Sequence, residues 1–504
     1  MARLDRSGLL AQLADGVTVV TPSRRLARDL KREFDRAQVQ AGRQVWPAAD
    51  VLPWSAWLAR CVEEVDPGAD RPMLLTPLQQ QYLWRQIVRR SRAAEGLVHV
   101  DALAQAAEQA WTLLQQEGEP AALARSARNE DHLAFDAWAG QFSRELRRRA
   151  ALSPAQLPAW LAAALARGAW RPTRRVAFAG FDRFGAQPRH LREALAAAGF
   201  LVESALQQAP QAALPARVEC SDARQQWQSI ARWARARLQA GPQARIGIVV
   251  PDLGARRAAL VAALTDALAP ALRLAPDQAA TRPFNLSLGT PLAQVPLVET
   301  ALALFDLMCA PLELARATRL LRSPFLAAGA PGEAEWTRRA RLDRALRDDG
   351  AWEVGFDRLR RAAGRLDAAG APHPDAAPLL AAALARAGQR LAPLRRRPHA
   401  LPDWVTALFD LLRDLGFPGS RTLDSVEFQA QARLRELIAG LAALDAFAGP
   451  ASLADTVALL RRMAAETLFQ AETPEVPVQV LGVIESRHLQ FDHLWVADLS
   501  EAQW

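Results

Sequence analysis

The sequence predicts an α/β protein in which two parallel-sheet regions each carry a large helical insertion. Three observations lead there. Short β-branched runs such as Val17-Thr18-Val19-Val20, Val176 to Gly180, Ile246 to Val250 and Val478 to Leu481 suit strands covered on both faces. The first three are each followed by a turn and an amphipathic helical pattern. Between these βα segments lie two long blocks in which strand signals vanish and apolar residues recur every three or four positions. The boundaries follow from the changes of texture. Residues 1–52 with 168–206 make the first sheet region, and 53–167 its insertion. Residues 216–295 with 474–504 make the second, and 296–473 its insertion. One architecture is stated twice, without a short sequence repeat.

The first region opens with Val17 to Val20 as a strand, then Thr21-Pro22-Ser23, then a helix from Arg24 to about Gln40. Ser23 is a good N-cap residue, and Leu26, Leu30 and Phe34 share one face. Thr21, Ser23, Arg24 and Arg25 therefore stand at a helix N-terminus above a strand end, a candidate phosphate seat. The same pattern also fits an ordinary βα unit with a solvated basic face, and both readings stay open. In the first insertion, Trp54, Trp57, Trp84, Trp111 and Trp138 recur with other apolar residues at helical spacing. That spacing predicts core packing in preference to stacking on bases. Strands return at Arg175 to Gly180, followed by the turn Phe181 to Phe184, a helix from Pro188 to Ala198 closed by Gly199, and a strand at Phe200 to Glu203.

Gln207 to Pro215 reads as a linker. A helix is predicted from Asp222 to Gln239, with Trp227, Ile230, Ala231, Ala234 and Leu238 inward. The strand Ile246 to Val250, a helix through Arg256, Leu260 and Leu264, and a short strand near Phe284 to Gly289 follow. The second insertion is rich in alanine, leucine and arginine. Its arginine groups (Arg338, Arg341 and Arg344; Arg395, Arg396 and Arg397) fit either phosphate contact or a solvated surface. The last stretch, Val478 to Leu499, predicts two buried strands joined by a polar turn. Val478, Val480, Leu481, Val483 and Ile484 form the first strand, and Leu494 to Val496 the second. The turn carries Glu485, Arg487 and His488. A polar turn at a strand's carboxyl end is where open α/β sheets place ligands. Sequence ends at Trp504, soon after the second strand, so the chain is expected to continue.

Composition narrows the chemistry. The 504 residues carry a net charge of +8, and all but one of the 62 basic side chains are arginine. A basic surface attracts polyanions, although +8 is modest for this length. Cys61, Cys220 and Cys309 lie far apart, which excludes a disulfide framework and a local zinc or iron–sulfur motif. No apolar run reaches membrane-spanning length, and charge interrupts the N-terminal segment, so neither a membrane span nor a secretory signal is predicted and a cytoplasmic protein is expected. A nucleotide-hydrolysing sheet needs a GxxxxGK[ST] loop. The one lysine, Lys31, sits between Leu30 and Arg32, and beyond Val176 to Gly180 only Asp182 is acidic. ATP binding and hydrolysis are not expected in this span. The histidines form no HxxxH pair, and neither a GxSxG elbow nor a catalytic cysteine setting is present. No catalytic residue, metal ligand or cofactor is assigned.

Two stretches carry a resemblance. Gly482 to Phe491 resembles helicase motif V of the UvrD/RecB type, with Leu489 and Phe491 matching, Arg487 in place of lysine and His488 in place of glycine. Val20 to Ala27 resembles the DNA-contacting motif that follows the phosphate loop in those proteins. Across nearly the whole chain, VTPSRRLARDL, FAGFDRFGAQPRHL, FNLSLGTPLAQVPLV, LLRSPFL and VLGVIESRHLQFDHLWVADL are similar to AddB-like, RecB-related DNA repair proteins. The resemblance implies two RecA-like domains of degenerate superfamily-one helicase type, with the insertions at the 1B and 2B positions. It implies a DNA repair or recombination role as an ATPase-inactive scaffold that binds single-stranded DNA or duplex ends. It also implies a PD-(D/E)xK exonuclease domain beyond this chain, and magnesium would belong to that domain. Thr21, Ser23, Arg24, Arg25, Glu485, Arg487 and His488 are the candidate DNA contacts. The alternative is a non-catalytic interaction subunit that binds a helicase–nuclease partner without gripping DNA.

Overall fold

Helix α1 (Arg6–Ala14) leads into strand β1 (Thr18–Thr21), helix α2 (Arg24–Gln40) and strand β2 (Val51–Pro53) in a computed structural model of the protein. It describes residues 6–66, 71–95, 99–118, 129–202, 215–274, 282–326, 333–472 and 476–501. The fold is α/β, and the chain divides into two compact units, residues 1–288 with 475–504 and residues 289–474.

Two parallel sheets organise the first unit, beside a two-residue parallel pair. In one, β1 lies between β2 and strand β3 (Val176–Phe178). Leu201 continues the sheet by a single parallel bridge to Val176. The strand expected at Phe200 to Glu203 is thus reduced to a bridge, and Glu203 lies outside the described residues. β2 was not foreseen in the sequence, because three residues give too short a run for period two to show. Its last residue is Pro53, so the sheet reaches one residue past the expected boundary at 52.

The other sheet has the order β7-β4-β6-β5, all parallel, where β4 is Ile246–Val249, β5 Phe284–Leu286, β6 Val478–Leu481 and β7 His493–Val496. The linker expected from Gln207 lies, up to residue 214, outside the described residues. Helices Ala223–Ala240 and Leu253–Leu268 cover one face of this sheet, with Trp227, Ile230, Ala231 and Ala234 buried against Ile246, Ile248, Val478 and Val480.

The terminal stretch departs from expectation in two ways. Its first strand ends at Leu481, and Val483 and Ile484 lie in the turn, where Ile484 is exposed. The chain bends at Gly482, whose carbonyl accepts from the Ser486 amide, so apolar character there does not extend the ladder. The second strand, β7, is an edge strand and only half-buried, with Leu494 exposed. An edge strand has a ladder on one side only and need not be apolar throughout.

Residues 54–167 form helices Trp54–Glu64, Pro77–Arg89, Val100–Glu117, Glu130–Arg148 and Leu157–Ala166. The tryptophans pack inward as expected. Trp84 stacks on Phe142 at 4.5 Å between ring centroids, with Trp111 edge-on to Phe142 at 5.3 Å. Strand signals are not wholly absent, since Met73–Leu74 pairs with Ala151–Leu152. The second unit is helical, built around the helix Pro296–Cys309, whose residues from Leu297 to Met308 are nearly all buried. Two short antiparallel pairs accompany it, Leu312–Glu313 with Glu353–Val354 and Thr290–Pro291 with Leu468–Phe469. Its arginines are largely paired. Asp343, almost fully buried, accepts from Thr318 at 2.6 Å and Arg322 at 2.9 Å and is also paired with Arg347. Arg322 belongs to the LLRSPFL stretch, which makes that motif a structural anchor of this unit. Among the described residues no helix is long and apolar enough to cross a membrane.

Candidate functional site

The candidate residues converge where the two sheets of the first unit meet. β1 and β3 point their carboxyl ends at this seam, and the turn between β6 and β7 lies against them. It is also a topological switch point, because β2 lies to one side of β1 and β3 to the other.

On the first sheet, Thr21 is fully buried and its hydroxyl donates to the Ser23 carbonyl at 2.9 Å. Ser23 caps α2, and its Oγ accepts from the Leu26 amide at 3.2 Å. Both hydroxyls therefore have internal tasks. Arg24 begins the helix and is exposed. Arg25 is half-buried. Burial pushes its guanidinium below the ordinary arginine value, opposed by the carboxylate of Glu485. The Arg25 guanidinium donates to Gln479 Oε1 at 3.5 Å.

Only Pro22 and Ser23 separate β1 from α2. Proline has no amide donor, and the Leu26 amide is already capped. A triphosphate cradle needs a longer loop of inward-facing amides and a lysine at the helix start. The residues here do not fit one, and no nucleotide chemistry is derived from them.

The terminal turn is held by three polar contacts. His488, with a positive φ of 61°, places Nε2 3.0 Å from Asp182 Oδ1. The Arg487 guanidinium donates to Asp182 Oδ2, also at 3.0 Å. Arg6 donates to the His488 carbonyl at 2.6 Å. A Cβ at Gly180, whose φ is +78°, would collide with Leu26 Cδ2 and come within 3.4 Å of the His488 ring. Glycine is thus favoured by the positive φ and by the packing of Leu26, while the turn itself lies at ordinary contact distance. Glu485 is exposed at the rim.

Beneath this polar layer the seam is apolar. Leu481 and Leu489 belong to the same buried cluster as Leu9, Leu13, Val19, Leu26, Leu30 and Phe34. Phe491 packs beside them, and a Cβ at Gly247 would come 2.8 Å from its ring. Successive residues of β6 thus serve two cores, Val478 and Val480 the second sheet's own helices and Leu481 the first sheet.

The residues that lock the seam were not foreseen. Asp29, on α2, faces Arg6 at 3.3 Å and Arg245 at 2.6 Å, and Arg6 also pairs with Glu33. The Arg245 amide donates to Asp492 at 2.7 Å. These partners are separated by up to 247 positions in sequence. The only local signal was a carboxylate at the edge of the Leu26–Leu30–Phe34 stripe. Asp182 appeared in the sequence as an isolated acid and is the common acceptor for Arg487 and His488.

Among the described residues no group of three His, Cys, Asp or Glu side chains is arranged to hold a metal ion. The arrangement can join two sheets rigidly and present Arg24 and Glu485 at its rim. No protein-family model matches this chain, and no curated protein matches it.

Proposed function

We propose that the chain is a DNA-holding scaffold with two helicase-like, RecA-like sheets that do not turn over ATP. The observation that carries this reading is the seam. In a motor, the corresponding cleft opens and closes around a nucleotide. Here the sequence carries no phosphate loop, and Leu481, Leu489 and the Arg6–Asp29–Arg245 pairs fill the cleft with direct contacts. The resemblance of the terminal stretch and of Val20 to Ala27 to AddB-like, RecB-related repair proteins supports DNA as the partner, as does the arginine-rich surface. Exonuclease activity, which the resemblance implies for full-length relatives, is not assigned to these residues.

A second reading, an interaction subunit that binds a helicase–nuclease partner without gripping DNA, draws support from one observation. Arg487 and His488 are occupied by Asp182 instead of facing a ligand.

Titration of a single-stranded oligonucleotide at several salt concentrations separates the two. A steep loss of affinity with salt is expected for the scaffold. Undetectable binding at low salt leaves the interaction subunit as the reading. ATP turnover by the purified chain would overturn the claim of a silent cleft.

A further inference from the structure

Helix Ala223–Ala240 carries Arg224, Arg232, Arg235 and Arg237 and no acidic residue. None of the four forms an ion pair among the described residues, and the one side-chain bond is from Arg232 to the Gln228 carbonyl at 3.3 Å. This contrasts with other arginine-bearing helices, where Arg316 pairs with Asp306, Arg390 with Asp410 and Asp414, and Arg148 with Glu145.

At 100° per residue, Arg224, Gln228, Arg232, Arg235 and Gln239 fall within about 80° of arc, on an exposed strip that flanks the buried face of Trp227, Ile230, Ala231 and Ala234. Arg224 and Arg235 are about 16 Å apart along the axis. Arg232 and Arg235 are three apart, a like-charge spacing that opposes helix formation. The exposed face holds arginine, glutamine, Ser229 and Ala236 and no large apolar side chain. A helix lying in a membrane surface needs such side chains to insert, so anionic lipid is a poor match. Guanidinium, amide and hydroxyl donors without apolar anchors match phosphate oxygens read without regard to base sequence.

We infer that the outer face of helix Ala223–Ala240 is a nucleic-acid backbone track, on which Arg224, Arg232 and Arg235 each meet a phosphate. The inference rests on the DNA-holding reading above but concerns a face distinct from the seam. No base contact is involved, so binding is indifferent to sequence.

The test compares the unmodified chain with the triple variant Arg224→Gln/Arg232→Gln/Arg235→Gln, using an oligodeoxythymidine probe. Three lost phosphate contacts should lower the slope of log affinity against log salt by about 2, and weaken binding about 100-fold at 0.1 M salt. An unchanged slope and affinity overturns the track and leaves the scaffold reading standing. Failure of the unmodified chain to bind overturns both. Loss of binding to anionic vesicles, with oligonucleotide binding intact, assigns the face to membranes and overturns the inference. Arginine modification by phenylglyoxal, with and without oligonucleotide, checks the unmodified protein independently of the variant's folding. Protection of Arg224, Arg232 and Arg235 is expected, and equal labelling in both states counts against the track.

Discussion

Replacing Asp29 with asparagine should loosen the seam without disturbing either sheet. The Asp29 side chain is about one-tenth exposed and is the one hydrogen-bonding partner of the Arg245 guanidinium among the described residues, at 2.6 Å. Arg6 keeps Glu33, so the loss falls mainly on Arg245. Removing one member of a buried ion pair costs about 3–5 kcal/mol, because the remaining charge is left desolvated. The Arg245 side chain is 25% exposed, so water restores part of this, and about 2–3 kcal/mol is expected. At 1.4 kcal/mol per factor of ten, opening of the turn should become about 30 to 150 times more frequent. Hydrogen exchange followed by mass spectrometry on a peptide covering residues 482–492 measures this directly. Its protection includes the Asp492 amide, which bonds the Arg245 carbonyl. The Arg245→Met variant supplies the control. Once that charge is gone, Asp29→Asn should add less than about 1 kcal/mol. Exchange at the unmodified rate in Asp29→Asn, or effects that simply add in the double variant, would refute the assignment of Asp29 as the lock.

Two further outcomes are expected. In the second unit, burial acts to raise the Asp343 carboxyl, but Thr318, Arg347 and Arg322 outweigh it and hold the group below its ordinary value. A depressed folded-state value means that its stabilisation is present above about pH 4 and disappears as pH falls through the folded value. Denaturant midpoints measured from pH 7 to pH 3 should drop along this limb, Asp343→Asn should flatten it, and an identical slope in the variant would count against the network. In the first unit, Cys61 is 1% exposed and burial raises its thiol far above the ordinary range, whereas burial pushes the Cys309 thiol up to about 11. Native protein treated with a disulfide reagent at pH 8 should therefore leave Cys61 unlabelled until the unit unfolds, and rapid labelling under native conditions would show that Trp57, Leu58 and Cys61 are not packed as described.

The sequence by itself determined the α/β class, the βα units and the inward-facing stripes. These depend on period, capping and turn chemistry, which are local. Ser23 caps α2, the tryptophans of 54–167 pack inward, and Trp227, Ile230 and Ala234 line one core, all as their spacing required. The absence of a phosphate loop was equally legible, since that motif is contiguous. Tertiary structure decided what the terminal turn touches. Arg487 and His488 face Asp182, some three hundred positions away, and Asp29 joins Arg6 to Arg245. A lone carboxylate on a helix carries no sign of its distant partner. Only the fold brings the carboxyl ends of β1 and β3 against the turn after β6, and Gly247 permits Phe491 to pack there because it has no Cβ.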